Sequence, residues 1–174
     1  MNINAAFLTL ETTQSGGYVG AILVTDQIGI PQEFRCTHRV VATKVQQQLY
    51  GGTLKPHIGI ELCGLPLLKE IKSKPNLIIL KDSFLLALRE KHEIPTIFLS
   101  RAEGIIETSD TKSSSEKLEG DFEPIIVKTH QGCNSDLNDA MSHLRSLRLD
   151  PLEPFVRIQT ALQALAEQEV AKYG

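Results

Sequence analysis

The chain has no tryptophan, and only 5% of its 174 residues are aromatic. A nucleic-acid surface built from rows of stacking rings is therefore not expected. Three cysteines, Cys36, Cys63 and Cys133, are too few and too scattered for a disulfide framework. Free thiols in a reducing compartment follow, and Cys63, set among Leu62, Leu65 and Leu67, reads as core. No apolar run approaches the roughly 18 residues of a membrane span, and the opening MNINAAFLTL lacks a basic stretch. The expectation is a cytoplasmic protein with no membrane partner. No Walker-type phosphate loop, dinucleotide fingerprint, G-x-S-x-G or H-E-x-x-H occurs, which sets aside ATPases, dehydrogenases, α/β-hydrolases and zincin proteases. Nor is one sign of charge in large excess: 18 Lys and Arg against 21 Asp and Glu leave a net charge of -3, so bulk attraction to a polyanion is not expected.

What is present is a 41% hydrophobic chain, enough to build a substantial core in a single domain spanning 1-174. Residues 3–13, 18–25 and 33–41 are β-prone runs separated by the turn signals QSGG and DQIGIP, which predicts an antiparallel meander. Helical spacing follows: Val45 and Leu49, then Ile58, Leu62, Leu65 and Leu68. Gly59, Gly64 and Pro66 argue for a kink or two short helices there. NLIILKD and TIFLS read as strands buried on both faces, with a helix FLLALREKHE between them capped by Ser83. Strand, helix, strand with short links is a right-handed parallel crossover. PIIVKT is one more strand, and Asn134 or Ser135 caps a helix running to Leu147. A C-terminal helix is predicted at about 151–171, with Asp150 at the cap, Pro151 at the first position and Phe155, Ile158, Leu162 and Leu165 along one face. The fold class is thus α/β, a mixed five- or six-stranded sheet with helices on both faces.

Charge is unevenly placed. Residues 103–123 hold seven acids, two lysines and a serine run, which reads as a solvated, flexible loop. The rest of the chain is left at +2, so nucleic acid is not excluded by charge.

The order of elements resembles the ribonuclease-H-like superfamily. SGGYVGAILVTD (Ser15 to Asp26) is similar to the glycine-rich entry into the second strand of ribonuclease H enzymes, and PNLIILKD resembles the endonuclease V strand that ends in a metal-binding aspartate. The resemblance implies a divalent-metal (Mg or Mn) nuclease, with carboxylates converging on one end of the sheet. Asp82 takes the strand-end position. The first-strand position falls on Leu10, or on Glu11 if the register slips by one; the first-helix position falls within Gln46 to Gln48, with Glu61 the nearest helical acid; Asp136 or Asp139 supplies the last carboxylate. With this set incomplete, two readings stay open. One is a nucleic-acid-associated domain, hydrolytic or not. The other is a non-catalytic scaffold using the acidic loop and the C-terminal helix to hold a protein partner or a second copy.

Other residues have local readings. Asp82 equally suits a helix cap. Cys36 and His38, two apart on a strand, together with His130 and Cys133, form an alternative zinc set if the fold brings them together. Arg35 and Arg39 are four apart and are expected to share a strand face, with Lys44 following. That places a candidate phosphate-contacting strip on the third strand, or else an ordinary solvated face.

Overall fold

A computed structural model describes residues 3–102 and 115–173. Seven strands form one sheet in the order β3-β2-β1-β4-β5-β7-β6. β1 (Ala5–Thr12), β2 (Tyr18–Thr25) and β3 (Pro31–Cys36) make the antiparallel meander. Gly16 and Gly17, with φ of 88° and 87°, turn β1 into β2 in a region that L side chains avoid. β4 (Leu77–Leu80) and β5 (Thr96–Arg101) run parallel to β1. β7 (Ile125–Thr129) pairs antiparallel with β5, and β6 (Ser115–Leu118) closes the far edge. The continuous apolar runs of β1 and β4 put them at the centre, where both faces are covered.

Alternation along each strand divides the core. Ala5, Phe7, Leu77, Ile79, Ile97 and Leu99 face one side, under α4 (Ser135–Ser146) and α5 (Glu153–Tyr173). There Phe7 meets Phe155 edge-on, ring centres 5.6 Å apart. Ala6, Leu8, Ile22, Ile78 and Leu80 face the other side, against Leu67, Leu85 and Leu88. Leu85 and Leu88 of that layer come from the β4–β5 connection and Leu67 from the β3–β4 connection, which runs through α1 (Lys44–Tyr50), a 3-10 turn, α2 (Leu54–His57), a π-helix (Ile58–Gly64) and α3 (Leu65–Glu70).

Three expectations change. The segment after Ser83 is a 3-10 helix over Ser83–Lys91; Leu85 and Leu88, its buried residues, are three apart, the spacing that eclipses in a 3-10 turn. The sheet has seven strands because Ser115–Leu118, within the acidic stretch, pairs with β7 and buries Leu118; residues 103–114 lie outside the described part. Finally, α5 begins at Glu153, preceded by a turn in which Asp150 Oδ1 accepts from Leu152 N at 3.0 Å.

The edge strand β3 is tied down by one carboxylate. Glu33 accepts from Lys72 N at 2.9 Å, Ser73 N at 2.7 Å and Arg35 Nε at 2.5 Å. The Ser73 amide, then Arg35, pull its pKa from 4.5 to about 2. Glu33→Gln is expected to cost about 1–2 kcal/mol at neutral pH, the range for hydrogen bonds to a charged group. Because the folded pKa is depressed, this stabilisation is complete above about 4.5 and is lost as pH falls towards about 2. Thermal melts of wild type and Glu33→Gln should therefore converge at the acid end, and a constant gap would show the carboxylate's charge to be irrelevant.

Candidate functional site at the carboxyl edge of the sheet

From β1 the chain goes to β2 and β3 on one side, then returns to β4 and β5 on the other. The carboxyl ends of β1 and β4 therefore flank a topological switch point, where open α/β sheets hold ligands. Asp82 stands there, two residues beyond β4. Its Oδ2 is buried without a hydrogen-bond partner. Burial raises its pKa, opposed by the charges of Lys81 and Lys55 and reinforced by Glu11. Its side chain makes no cap bond to the 3-10 helix. Ser100, at the matching level of β5, likewise has a buried hydroxyl without a partner.

The β1 residue on this face is Leu10. It is 5% exposed and packs with Ile58, Cys63, Tyr18, Val40, Leu54 and Phe84. Pairing of β1 with β2 is unbroken from Ala5 to Thr12, so the slip that would bring Glu11 into line does not occur, and period-two alternation sends Glu11 to the opposite face. There it takes Lys81 Nζ at 2.5 Å, Thr9 Oγ1 at 2.9 Å and Gln159 Nε2 at 3.3 Å. Gln46 to Gln48 lie on α1 with no buried side chain, and Glu61 is exposed.

Asp136 does not join Asp82 either. It is 2% exposed at the start of α4 and takes Arg89 Nε at 2.7 Å and Arg89 Nη2 at 3.3 Å. Thr96 N, at the amino end of β5, donates to it at 3.4 Å. Thr96 pairs with Ile78, four residues before Asp82, a strand distance of about 13 Å. Asp139, one turn along α4, is exposed. The residues present therefore do not fit a two-metal centre.

The zinc set is also dispersed. Cys36 is on β3 at one edge, whereas His130 and Cys133 follow β7, five strand spacings or about 24 Å across the sheet. His130 Nε2 instead meets Glu90 Oε1 at 3.0 Å. Among the described residues no group of three His, Cys, Asp or Glu is placed to hold a metal ion.

Of the expected cationic strip, Arg35 lies against Glu33, with its charge offset. The shared-face expectation fails because β3 ends at Cys36. Arg39 sits on the segment that bridges back to Tyr18 and donates to Ser15 Oγ and the Ser15 and Gly16 carbonyls, all neutral acceptors. Lys44 opens α1, exposed. Lys55 on α2, which the sequence reading did not single out, lies 5.7 Å from the Phe84 ring centre and bears on Asp82. The Tyr50 and His57 rings of the same connection lie 5.0 Å apart, tilted by 32°. The signal for Lys55 was available: from Phe34 to Ile60 there are four Lys and Arg and no acid.

A three-strand meander, two parallel strands on its far side and helices on both faces make a mixed α/β fold. A solved structure of Ciona intestinalis Endonuclease V, in complex with a 23mer DNA containing an inosine followed by a ribo-adenosine, is similar in fold: TM-score 0.52, 13% identity, covering 83% of this chain and 77% of that one. A Marinitoga piezophila Argonaute in complex with guide RNA aligns at TM-score 0.35 and 6% identity, over 78% of this chain and 24% of that one. No family model matches the chain, and no curated protein matches it. Among the described residues no helix is long and apolar enough to cross a membrane.

Proposed function

We propose that this chain is a ribonuclease-H-like domain that binds nucleic acid without hydrolysing it. One observation carries the second half: the β1 residue facing Asp82 is Leu10, sealed in an apolar cluster where hydrolysis needs a second carboxylate. Support for binding comes from Arg39 and Lys44, whose charges meet no carboxylate among the described contacts, and from Lys55, which lies near Asp82 at the same edge, all on a stretch free of acids. The unpartnered Asp82 Oδ2 suits a donor from the ligand, such as an exocyclic amine or hydroxyl.

Fluorescence anisotropy with single strands, DNA and RNA duplexes and a hybrid, with Mg²⁺ or Mn²⁺ present, tests both halves. Binding should weaken with salt while every strand stays intact. An Arg39→Ala/Lys44→Ala/Lys55→Ala variant should flatten the log–log salt slope by about 3 and lose affinity for all sequences alike. Metal-dependent cleavage abolished by Asp82→Asn would overturn the non-hydrolytic reading. Absence of salt-sensitive binding to any strand would overturn nucleic acid as the partner.

A further inference from the structure

α1 buries none of its side chains. Val45 is 67% exposed and Leu49 80%, on one face at i, i+4 spacing, and Val41, in the extended segment before the helix, is also exposed. Seven residues are too few for a helix to persist by propensity alone. This one is held by a capping box: Gln46 N donates to Thr43 Oγ1 at 3.1 Å, and Thr43 N to Gln46 Oε1 at 2.9 Å. The result is a preformed helix with its apolar side in solvent and Lys44 beside it.

A second unfinished surface lies on α5. Its apolar stripe begins under cover, with Phe155 and Ile158 buried and Leu162 packed against the core, and then runs past the sheet. Leu165 is 40% exposed, and residues 163–169 are exposed throughout. Between Ile158 and Glu169 the only charges are Glu167 and Glu169. One surface is therefore aliphatic and cationic, the other aliphatic and anionic.

We propose that these surfaces dock between two copies of this chain, α1 of one protomer lying along the distal part of α5 of its partner. Val45 and Leu49 pack on Leu165, and Lys44 faces Glu167 and Glu169. A single contact between a seven-residue helix and two helical turns is small against the roughly 800 Å² per partner of a stable interface. A two-fold arrangement makes the contact twice, α1 on α5 and α5 on α1, which doubles the area and closes the assembly. This inference shares Lys44 with the nucleic-acid reading but does not rest on it, and it is tested without nucleic acid.

Sedimentation velocity on the full chain, from micromolar to near-millimolar concentration, should show a monomer–dimer equilibrium. Val45→Ser/Leu49→Ser and, separately, Leu165→Ser should each weaken it about tenfold or more, with melting temperatures unchanged for the α1 variant, whose side chains are not buried. Lys44→Glu should weaken it too, and adding Glu167→Lys/Glu169→Lys to the same chain should restore it. A monomer at all concentrations overturns the proposal, as does a dimer untouched by the α1 variant. A dimer lost in the Val45→Ser/Leu49→Ser variant but unweakened by both Leu165→Ser and Lys44→Glu alone overturns the pairing with α5.

Discussion

Replacing Asp136 by alanine is expected to destabilise the fold by about 3–5 kcal/mol, the cost of breaking a buried ion pair from one side. For a chain of this length that is a fall in melting temperature of about 10 °C. Asp136 is 2% exposed, and its two oxygens take the Nε and Nη2 of Arg89 and the amide of Thr96. Without it, the Arg89 guanidinium, itself only 17% exposed in its side chain, keeps its bond to the His92 carbonyl and loses its counter-charge. Arg89→Ala should be comparably destabilising, and the double variant should cost clearly less than the sum, since each single change strands the other group. Asp139→Ala, exposed one turn further along the helix, should stay within about 0.5 kcal/mol. The comparison decides between two roles for the same residue. A carboxylate kept for metal chemistry leaves stability unchanged or improved when removed; a melting temperature within a degree or two of wild type would therefore return Asp136 to the list of functional candidates.

The same pair shows where a sequence stops speaking. The meander, β4 and β5 were readable because local signals coincide with the global arrangement: apolar runs of strand length, glycine turns and short links. Asp82 was readable as a strand-end residue. Leu10 was readable as its neighbour, since an unslipped register is the simplest one and parity then removes Glu11 from the face. Arg89 and Asp136, however, are 47 positions apart, and nothing in either neighbourhood announces the other. The strip over Arg35 and Arg39 failed for a different reason. Period-two reasoning holds only inside a strand, and β3 ends between them. β6 escaped notice because SEKL has no strand propensity to speak of; it exists as the partner of β7, and one residue, Leu118, supplies its burial.

Gly64→Ala should destabilise by about 3 kcal/mol, at the upper end for overpacking a core, whereas Gly52→Ala, twelve positions earlier in the same connection, should stabilise by about 0.5 kcal/mol by restricting the unfolded chain. A methyl at Gly64 would lie 2.7 Å from the carbonyl oxygen of Gly59 and 2.8 Å from Leu88 Cδ1. The first obstacle is backbone, so no rotamer relieves it. At Gly52 an added methyl meets nothing within 4 Å and the backbone is not left-handed. Read in the sequence, Gly59 and Gly64 are interruptions of a helical pattern; in the fold they are points of close approach. Gly59 lets Phe84 and Leu85 of the 3-10 helix come down on the π-helix, and Gly20 lets β2 touch Cys63. This contact set holds Leu10, Ile58 and Phe84 together beside Asp82, so the same glycines that tighten the core also keep the β1 side of Asp82 filled with hydrocarbon. Chemical denaturation of the two variants gives the test: equal and small effects would mean that the π-helix can shift at little cost, and that the apolar seal over the carboxyl edge is softer than its packing indicates.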